Sequence, residues 1–335
     1  MNLPYDVLDY IFSFLKSHHN SLVACSKAHP SFSQVAKRQL YHHISIHPLI
    51  SWARFTDPGY ILEPSKLIKL LSETPHIANY VRVLCIVLFD FRSSRSYPSP
   101  EASRDLEEIS LVLPKFSSLE CIILNAPGCF ALWDQLPQSF TVAIENSLHL
   151  PTLHRIHVHN LDFPLCILDN HPNINCFSLC GLSQIPDCSD GSKLQLTALS
   201  FNVTYRDDYP TSFLTWAKRH IFNLQSLKCN FFEGKILWLL EICSDTLNSL
   251  DLTLKATGKL SSCIFMSHLL TWILQMKWKG FLQYMELTQA WVTQYRRPSS
   301  PPFLTSNTSL FVGLYIVYLR ATMMGLAGLY LVFVR

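Results

Sequence analysis

Apolar residues recur at helical spacing in three short segments within residues 1–46. The second segment begins after Asn20 or Ser21, either of which can cap a helix, and the third begins at Pro30. Three helices of this size seldom bury all their apolar surface, so part of it is expected to meet the rest of the chain or a partner. The first segment has a proline at its start and then one apolar stripe: Pro4, Val7, Leu8, Ile11, Phe12 and Leu15.

Behind these helices, the pattern L-x-x-L-x-L recurs along the chain, and helix-like apolar segments alternate with it. This alternation predicts an α/β fold: an N-terminal three-helix unit, then a leucine-rich-repeat solenoid over residues 47–256, with parallel strands and with helices on its convex side. The matches are Val81-Leu84-Ile86, Leu119-Ile122-Leu124, Leu153-Ile156-Val158, Ile174-Phe177-Leu179, Leu196-Leu199-Phe201, Leu224-Leu227-Cys229 and Leu247-Leu250-Leu252.

Side chains alternate between the two faces of a strand, so the last two apolar positions of each match point to the core and their neighbours point outward. In the first two matches the outward residues are mostly apolar, including Val83, Cys85 and Cys121, so both strands are expected to be covered on both faces. In the later matches they are mostly polar and are predicted to face a protein substrate: Arg155, His157, His159, Ser178, Ser200, Asn202, Lys228, Asn230 and Asp251.

The repeat pattern stops near residue 256. Residues 257–295 are interpreted as a helical cap or an irregular region, residues 296–308 as a proline-containing linker and residues 309–335 as a hydrophobic tail. Residues 310–334 are long enough to span a bilayer, but Arg320 near their centre disfavours insertion. The tail is therefore either a membrane anchor, or an untypical terminus or a helix buried against the repeats.

Composition narrows the function classes. A net charge of +3 with 15% charged residues provides no basic field for nucleic acid, and neither G-x-G-x-x-G nor a Walker sequence occurs. The 11 cysteines, in a chain whose start does not resemble a signal peptide, indicate reduced thiols. The expected location is the cytoplasm or nucleus, or a membrane-anchored state with the repeats in the cytosol.

Candidate chemistry is sparse. His154, His157 and His159 are candidate metal ligands, and His157 and His159 share one face of the predicted strand. No carboxylate or third imidazole lies at a predictable spacing from these two, so the set of ligands is incomplete. No paired cysteine spacing and no hydrolase motif occurs, so neither metal nor cofactor is predicted and the chain is not expected to be an enzyme. A thiol hydrolase that uses one of the cysteines with a histidine stays an alternative.

Residues 1–46 resemble the F-box, in the variant found in fungal F-box proteins. The third helix of that variant runs into a strand, as 43–46 would here, whereas Phe32 stands where many F-boxes have a tryptophan. The residues that carry the resemblance are Leu3-Pro4, Asp6-Val7-Leu8, Ile11-Phe12, Leu15 and Leu22 to Cys25.

An F-box followed by leucine-rich repeats resembles the substrate receptors of SCF-type ubiquitin ligases. The resemblance implies that the helices bind the Skp adaptor of a cullin-based ligase, while the repeats hold a protein substrate. The adaptor-binding residues that it implies are Leu3, Pro4, Leu8, Ile11, Phe12, Leu15, Leu22, Val23 and Cys25. The alternative is a leucine-rich-repeat interaction protein without a ligase, with or without a membrane anchor in its tail, in which exposure of Leu8, Ile11 and Phe12 would not be expected.

Overall fold

The computed structural model divides the chain into two compact units, Met1–Leu224 and Gln225–Arg335. Each unit contains parallel strands. The residues that the structure describes are 3–16, 18–47, 60–88, 100–127, 131–180, 194–202, 211–231, 239–240, 242–243, 246–247, 249–255 and 328–334.

Three helices open the first unit, as the apolar spacing predicts: α1 (Tyr5–Ser13), α2 (His19–Ala28) and α3 (Pro30–Leu40). Pro4 is the N-cap of α1, one residue before the predicted position. Helix α2 begins earlier than predicted, and its N-cap is His18 instead of Asn20 or Ser21. The reason is that the His18 carbonyl already accepts a bond from the Leu22 N–H at 3.1 Å, which places both predicted caps inside the helix.

The three helices share a hydrophobic core of their own. Phe32 packs against it from the edge, with its ring 5.7 Å from that of Phe12 and nearly perpendicular to it. Tyr41, which ends α3, and Tyr60, which begins the second strand of the sheet, also pack against this core. The unit therefore buries part of its apolar surface in a core of its own. The fully buried members are Leu8, Phe12, Leu22, Val35, Ala36 and Leu40.

Seven strands of the first unit form one sheet in which every neighbouring pair is parallel. The described strands of this unit are β1 (His43–Ile46), β2 (Tyr60–Leu62), β3 (Val83–Val87), β4 (Cys121–Asn125), β5 (Ala131–Leu132), β6 (Arg155–His159), β7 (Leu161–Asp162), β8 (Cys176–Cys180) and β9 (Ala198–Asn202). The order across the sheet is β9-β8-β6-β4-β3-β1-β2, while β5 and β7 pair separately. Strands β3, β4, β6, β8 and β9 lie where the repeat pattern predicts them.

One backbone arrangement repeats from strand to strand. The residue just before one strand has a carbonyl that accepts two hydrogen bonds from the adjacent strand of the sheet. The donors are the N–H of the residue just before the adjacent strand and the N–H of that adjacent strand's first residue. For example, the Glu120 carbonyl binds the N–H groups of His154 and Arg155 at 3.2 and 3.1 Å. The carbonyls that do this are those of His42, Arg82, Glu120, His154 and Asn175. The strands therefore start in register across the sheet.

Four further helices of the first unit each follow one of its strands: α4 (Pro64–Glu73), α5 (Pro100–Val112), α6 (Gln138–Leu148) and α7 (Thr211–His220). All four cover predicted helical segments. The connections between strands differ in kind, however, because β8 is preceded only by the 3-10 helix Leu165–Asn170 and not by an α-helix. The predicted α/β class with a mainly parallel sheet is confirmed, whereas the structure does not show the predicted solenoid.

In the second unit, β10 (Ser226–Phe231) and β11 (Ser249–Lys255) pair in parallel, and β12 (Gly328–Val334) pairs antiparallel with β11. The predicted cap (257–295), the linker (296–308) and residues 309–327 of the predicted tail lie outside the described residues. The described end of the tail is a strand, not part of a helix. In the parts of the chain that are described, no helix is both long and apolar enough to cross a membrane.

We expect Leu22→Ala to lower the free energy of unfolding by about 3 kcal/mol, because it leaves a cavity in the core of the three helices. Leu111→Ala is the matched control, since Leu111 on α5 is 72% exposed and its truncation should change stability by less than about 0.5 kcal/mol. Urea denaturation followed by circular dichroism measures both values. Equal stability losses in the two variants would contradict the described core.

Candidate functional site

Helix α1 and the residue pair before it carry two apolar stripes, not one. The inner stripe, Leu8 and Phe12, is only 3% and 5% exposed, and it packs into the core of the three helices. A second set of large apolar side chains lies on another side of the helix and is 38–67% exposed. We call this set the outer stripe: Leu3, Val7, Tyr10, Ile11 and Phe14. Its spacing of three or four residues places these side chains along one side of α1.

Contacts on both sides of the inner stripe hold α1 against α3. Asp9 accepts a hydrogen bond from the Gln39 side-chain amide at 2.9 Å and lies 3.8 Å from the guanidinium of Arg38. At the start of the helix, the Tyr5 hydroxyl donates to the side-chain carbonyl of Gln34. These contacts orient the helix, so the outer stripe is presented outward from a packed base.

Within the outer stripe, the rings of Tyr10 and Phe14 make an edge-to-face contact with their centroids 5.0 Å apart and their planes at 87°. Contiguous apolar groups exposed on a small helical unit are typical of a surface that binds another macromolecule. The outer stripe is therefore our first candidate interaction surface.

The structure divides the predicted adaptor-binding residues into three groups. Burial places Leu8, Phe12 and Leu22 inside the helical core, so in this conformation they shape the unit and cannot contact a second protein. Exposed positions are Leu3, Pro4 and Ile11, which remain available. The half-buried residues, packed against the core at its edge, are Leu15, Val23 and Cys25.

Three members of the outer stripe were not among the predicted adaptor contacts: Val7, Tyr10 and Phe14. The sequence interpretation assigned Val7 to the same stripe as Leu8, although neighbouring residues of a helix project about 100° apart. The recurrence of large apolar residues at positions 3, 7, 10 and 14 is a signal that could have separated the two stripes.

The outward side of the first unit's sheet is the second candidate surface. In β6, Ile156 and Val158 are buried, Arg155 is exposed, and His157 and His159 are half-buried, as the period of two predicts. The outward positions of neighbouring strands are aligned in rows across the sheet, because His157 pairs with Ile123 of β4 on one side and with Ser178 of β8 on the other.

Further along the same rows, Ser200 pairs with Ser178 and is half-buried. The predicted substrate-facing side chains of Asn202 and Asn230 lie outside what the structure describes. On β3, the outward residues Cys85 and Val87 are buried and Val83 is half-buried, so the expectation that this strand is covered on both faces holds for most of its length. On β4, Cys121 is buried but Ile123 is half-buried, so the expectation holds there only in part.

Burial makes this surface less cationic than its sequence suggests. It lowers the pKa of His157 to about 4, and the neighbouring His159 and Arg155 act in the same direction. Burial also lowers the pKa of His159. Both imidazoles are therefore neutral at pH 7, and among the described outward residues of β4, β6, β8 and β9 only Arg155 carries a full charge. The surface offers neutral hydrogen-bonding groups beside one cation.

The thiols on this surface are poor nucleophiles. Burial raises the pKa of Cys121 to about 12 and also raises that of Cys176, although Arg155 opposes both shifts. Because the thiolate is the reactive form, these two cysteines are protonated and unreactive near neutral pH. The described geometry therefore gives the thiol hydrolase hypothesis no activated cysteine at these positions.

The second unit contributes one ion pair to the predicted substrate-facing set. Lys228 on β10 and Asp251 on β11 are partners in the strand register, and their charged atoms lie 2.8 Å apart. The lysine side chain is 65% exposed, so the pair is screened by solvent and contributes little to stability. Each charge partly neutralises the other before any substrate arrives.

A buried polar cluster that the sequence did not indicate joins α7 to the 3-10 helix Leu165–Asn170. The indole N–H of Trp216 donates to the Asp169 carboxylate at 3.3 Å, and the His220 ring lies 3.4 Å from the same oxygen. The other ring nitrogen of His220 lies 3.2 Å from the Leu194 carbonyl. These contacts join three buried side chains, so we assign the cluster a role in packing α7.

Across the described ranges, no group of three or more His, Cys, Asp or Glu side chains is arranged to hold a metal ion. His157 and His159 do share one face of β6, as predicted. Comparisons of the chain with protein-family models, with curated proteins and with solved structures found no match. The two candidate surfaces must therefore be interpreted from their own chemistry.

The lowered pKa of His157 predicts that the free energy of unfolding depends on pH in the acid range. As the pH falls from 6.5 towards 4, the unfolded chain protonates this histidine and the folded chain does not, so the free energy of unfolding decreases. We expect His157→Gln to remove on the order of 1 kcal/mol of this decrease, a value reduced to allow for the partial exposure of the ring.

Urea denaturation at pH 7.0, 5.5 and 4.5 measures the effect, and His76→Gln serves as a control because His76 is exposed. An unchanged pH profile in His157→Gln would show that burial of this ring does not disfavour its charged form.

Proposed function

We propose that this chain is an interaction protein that brings two other proteins together, one at the outer stripe of α1 and one at the sheet. More specifically, we propose an F-box substrate receptor of an SCF-type ubiquitin ligase. Its three helices bind the Skp adaptor, which connects it to the cullin-based ligase, and the outward side of its sheet binds a protein substrate.

The observation that carries the proposal is the outer stripe. Five large apolar side chains are exposed along one side of α1, whose inner stripe is already packed in the core, so the exposed set is not needed for the core. Burial of apolar surface is the main favourable term in protein association, and truncation of a central anchor commonly costs about 2 kcal/mol or more. A partner with a complementary apolar groove would satisfy this surface.

For the sheet, we propose irregular leucine-rich repeats of unequal length. Two features support this interpretation: the repeat matches that fall on β3, β4, β6, β8 and β9, and the same carbonyl arrangement at the start of successive strands. Substrate recognition would use the neutral donors and acceptors of His157, His159 and Ser178 together with the charge of Arg155. Holding a substrate near a catalytic subunit raises its effective concentration there, without chemistry by this chain.

One observation favours the alternative, an interaction protein without a ligase partner. Leu8 and Phe12 are packed inside the helical unit, and Tyr41 and Tyr60 join that unit to the sheet. The helices thus also act as a cap at the β2 side of the sheet, as the alternative requires. The two proposals differ in the identity of the protein that covers the outer stripe, which a binding experiment can determine.

We expect Ile11→Asp to weaken binding to a purified Skp adaptor at least tenfold, because it places a charge in the middle of the outer stripe. The fold should be retained, since Ile11 is 43% exposed and is not a member of the helical core. Leu111→Asp on α5 is the matched control and should bind as the unchanged chain does. Leu8→Asp is unsuitable, because a buried charge would unfold the unit.

Pull-down and calorimetry with the full chain measure the binding, and circular dichroism reports the fold. Failure of the unchanged chain to bind the adaptor would favour the interaction protein without a ligase. Undiminished binding by Ile11→Asp would show that the adaptor, if bound, does not use the outer stripe.

A further inference from the structure

A polar cleft lies beside α2 and α3 in the first unit, next to the 3-10 helix Pro75–Tyr80. Its volume is about 710 Å³, and it is open to solvent on one side. The outer stripe of α1 does not contribute to its lining. The side chains on which the inference depends are Lys27, His29, Ser33, Lys37, His76 and Tyr80.

The charged side chains that line this cleft are lysines. Lys27 lies in the last turn of α2 and Lys37 on α3, and neither makes an ion pair with any carboxylate in the described ranges. By contrast, Lys66 on α4 lies 2.9 Å from Glu63. The described residues that line the cleft include no aspartate or glutamate. A concave surface with uncompensated charge of one sign attracts ligands of the opposite sign.

Further side-chain donors complete the cleft. His29 accepts a hydrogen bond from the Ser31 N–H through Nδ1, so Nε2 is the ring nitrogen left to donate. The hydroxyls of Ser33 and Tyr80 add two further donors. The first backbone N–H groups of α3 are already used, because those of Phe32 and Ser33 both donate to the His29 carbonyl at 3.0 and 3.2 Å. The side chains, not the helix end, must therefore bind an anion.

We propose that this cleft binds a small organic molecule that carries two or more phosphate groups. The two lysines, on successive helices, give separate cationic contacts, so more than one phosphate can be compensated. His76 and Tyr80 provide an aromatic wall, with ring centroids 5.7 Å apart and planes at 76°, against which the organic part of the ligand packs. This site is independent of the proposed ligase role.

Calorimetry of the full chain with tripolyphosphate and with ATP at low ionic strength tests the site. We expect both to bind, and ATP to bind more tightly because it also contacts the aromatic wall. Lys27→Ala/Lys37→Ala should weaken both ligands at least tenfold. The matched control is Lys66→Ala/Lys69→Ala, which removes two lysines paired with Glu63 and Glu73 and should change binding less than twofold.

Ile11→Asp separates this site from the outer stripe and should bind tripolyphosphate as the unchanged chain does. Tyr80→Ala should reduce the preference for ATP over tripolyphosphate, and added salt should weaken both ligands. The proposal is overturned if neither ligand binds at millimolar concentration, if the double lysine variant binds as well as the unchanged chain, or if only ATP binds. Tighter binding of a phosphoserine peptide than of either ligand would also overturn it, in favour of a protein ligand.

Discussion

The packing of α1 on α3 is the interaction on which both proposed sites in the helical unit depend. Leu8 and Phe12 share a core with Val35 and Leu40, and this contact leaves the outer stripe of α1 in solvent. The same contact holds α3, whose remaining surface lines the polar cleft. A packed core has few alternative arrangements, so it can present two chemically different surfaces in fixed positions.

Helices and strands were predictable from the sequence where a single spacing of apolar residues determines the element. Core strands such as β6 and β8 have apolar residues at every second position, and helix α4 has them three or four residues apart. Either spacing can be recognised from the local sequence alone. Strands β5 and β7 contain only two residues each and carry no such pattern. The predicted N-cap of α2 was wrong by two or three residues because a backbone carbonyl, not a side-chain cap, begins the helix.

The candidate surfaces were harder to predict, because both depend on tertiary structure. Distinguishing Leu8 from Ile11 requires knowledge of which side of α1 meets α3, and both residues have the same apolar character. The polar cleft brings Lys27 and Lys37 to His76 and Tyr80, which are about forty residues further along the chain. No phosphate site was predicted because the sequence contains neither G-x-G-x-x-G nor a Walker sequence, and lysines on two separate helices form no such local pattern.

The two surfaces of the helical unit and the sheet surface should also differ in how they recognise partners. Association at the outer stripe depends on apolar burial, which salt weakens little, whereas the cleft depends on exposed charge, which salt screens. The sheet surface is intermediate, because burial keeps His157 and His159 neutral and leaves their hydrogen bonds to act only at short range. Among the described outward residues of β4, β6, β8 and β9, Arg155 alone provides longer-range attraction, so selectivity for a partner proposed to bind there would come from the fit of hydrogen-bonding groups and not from net charge.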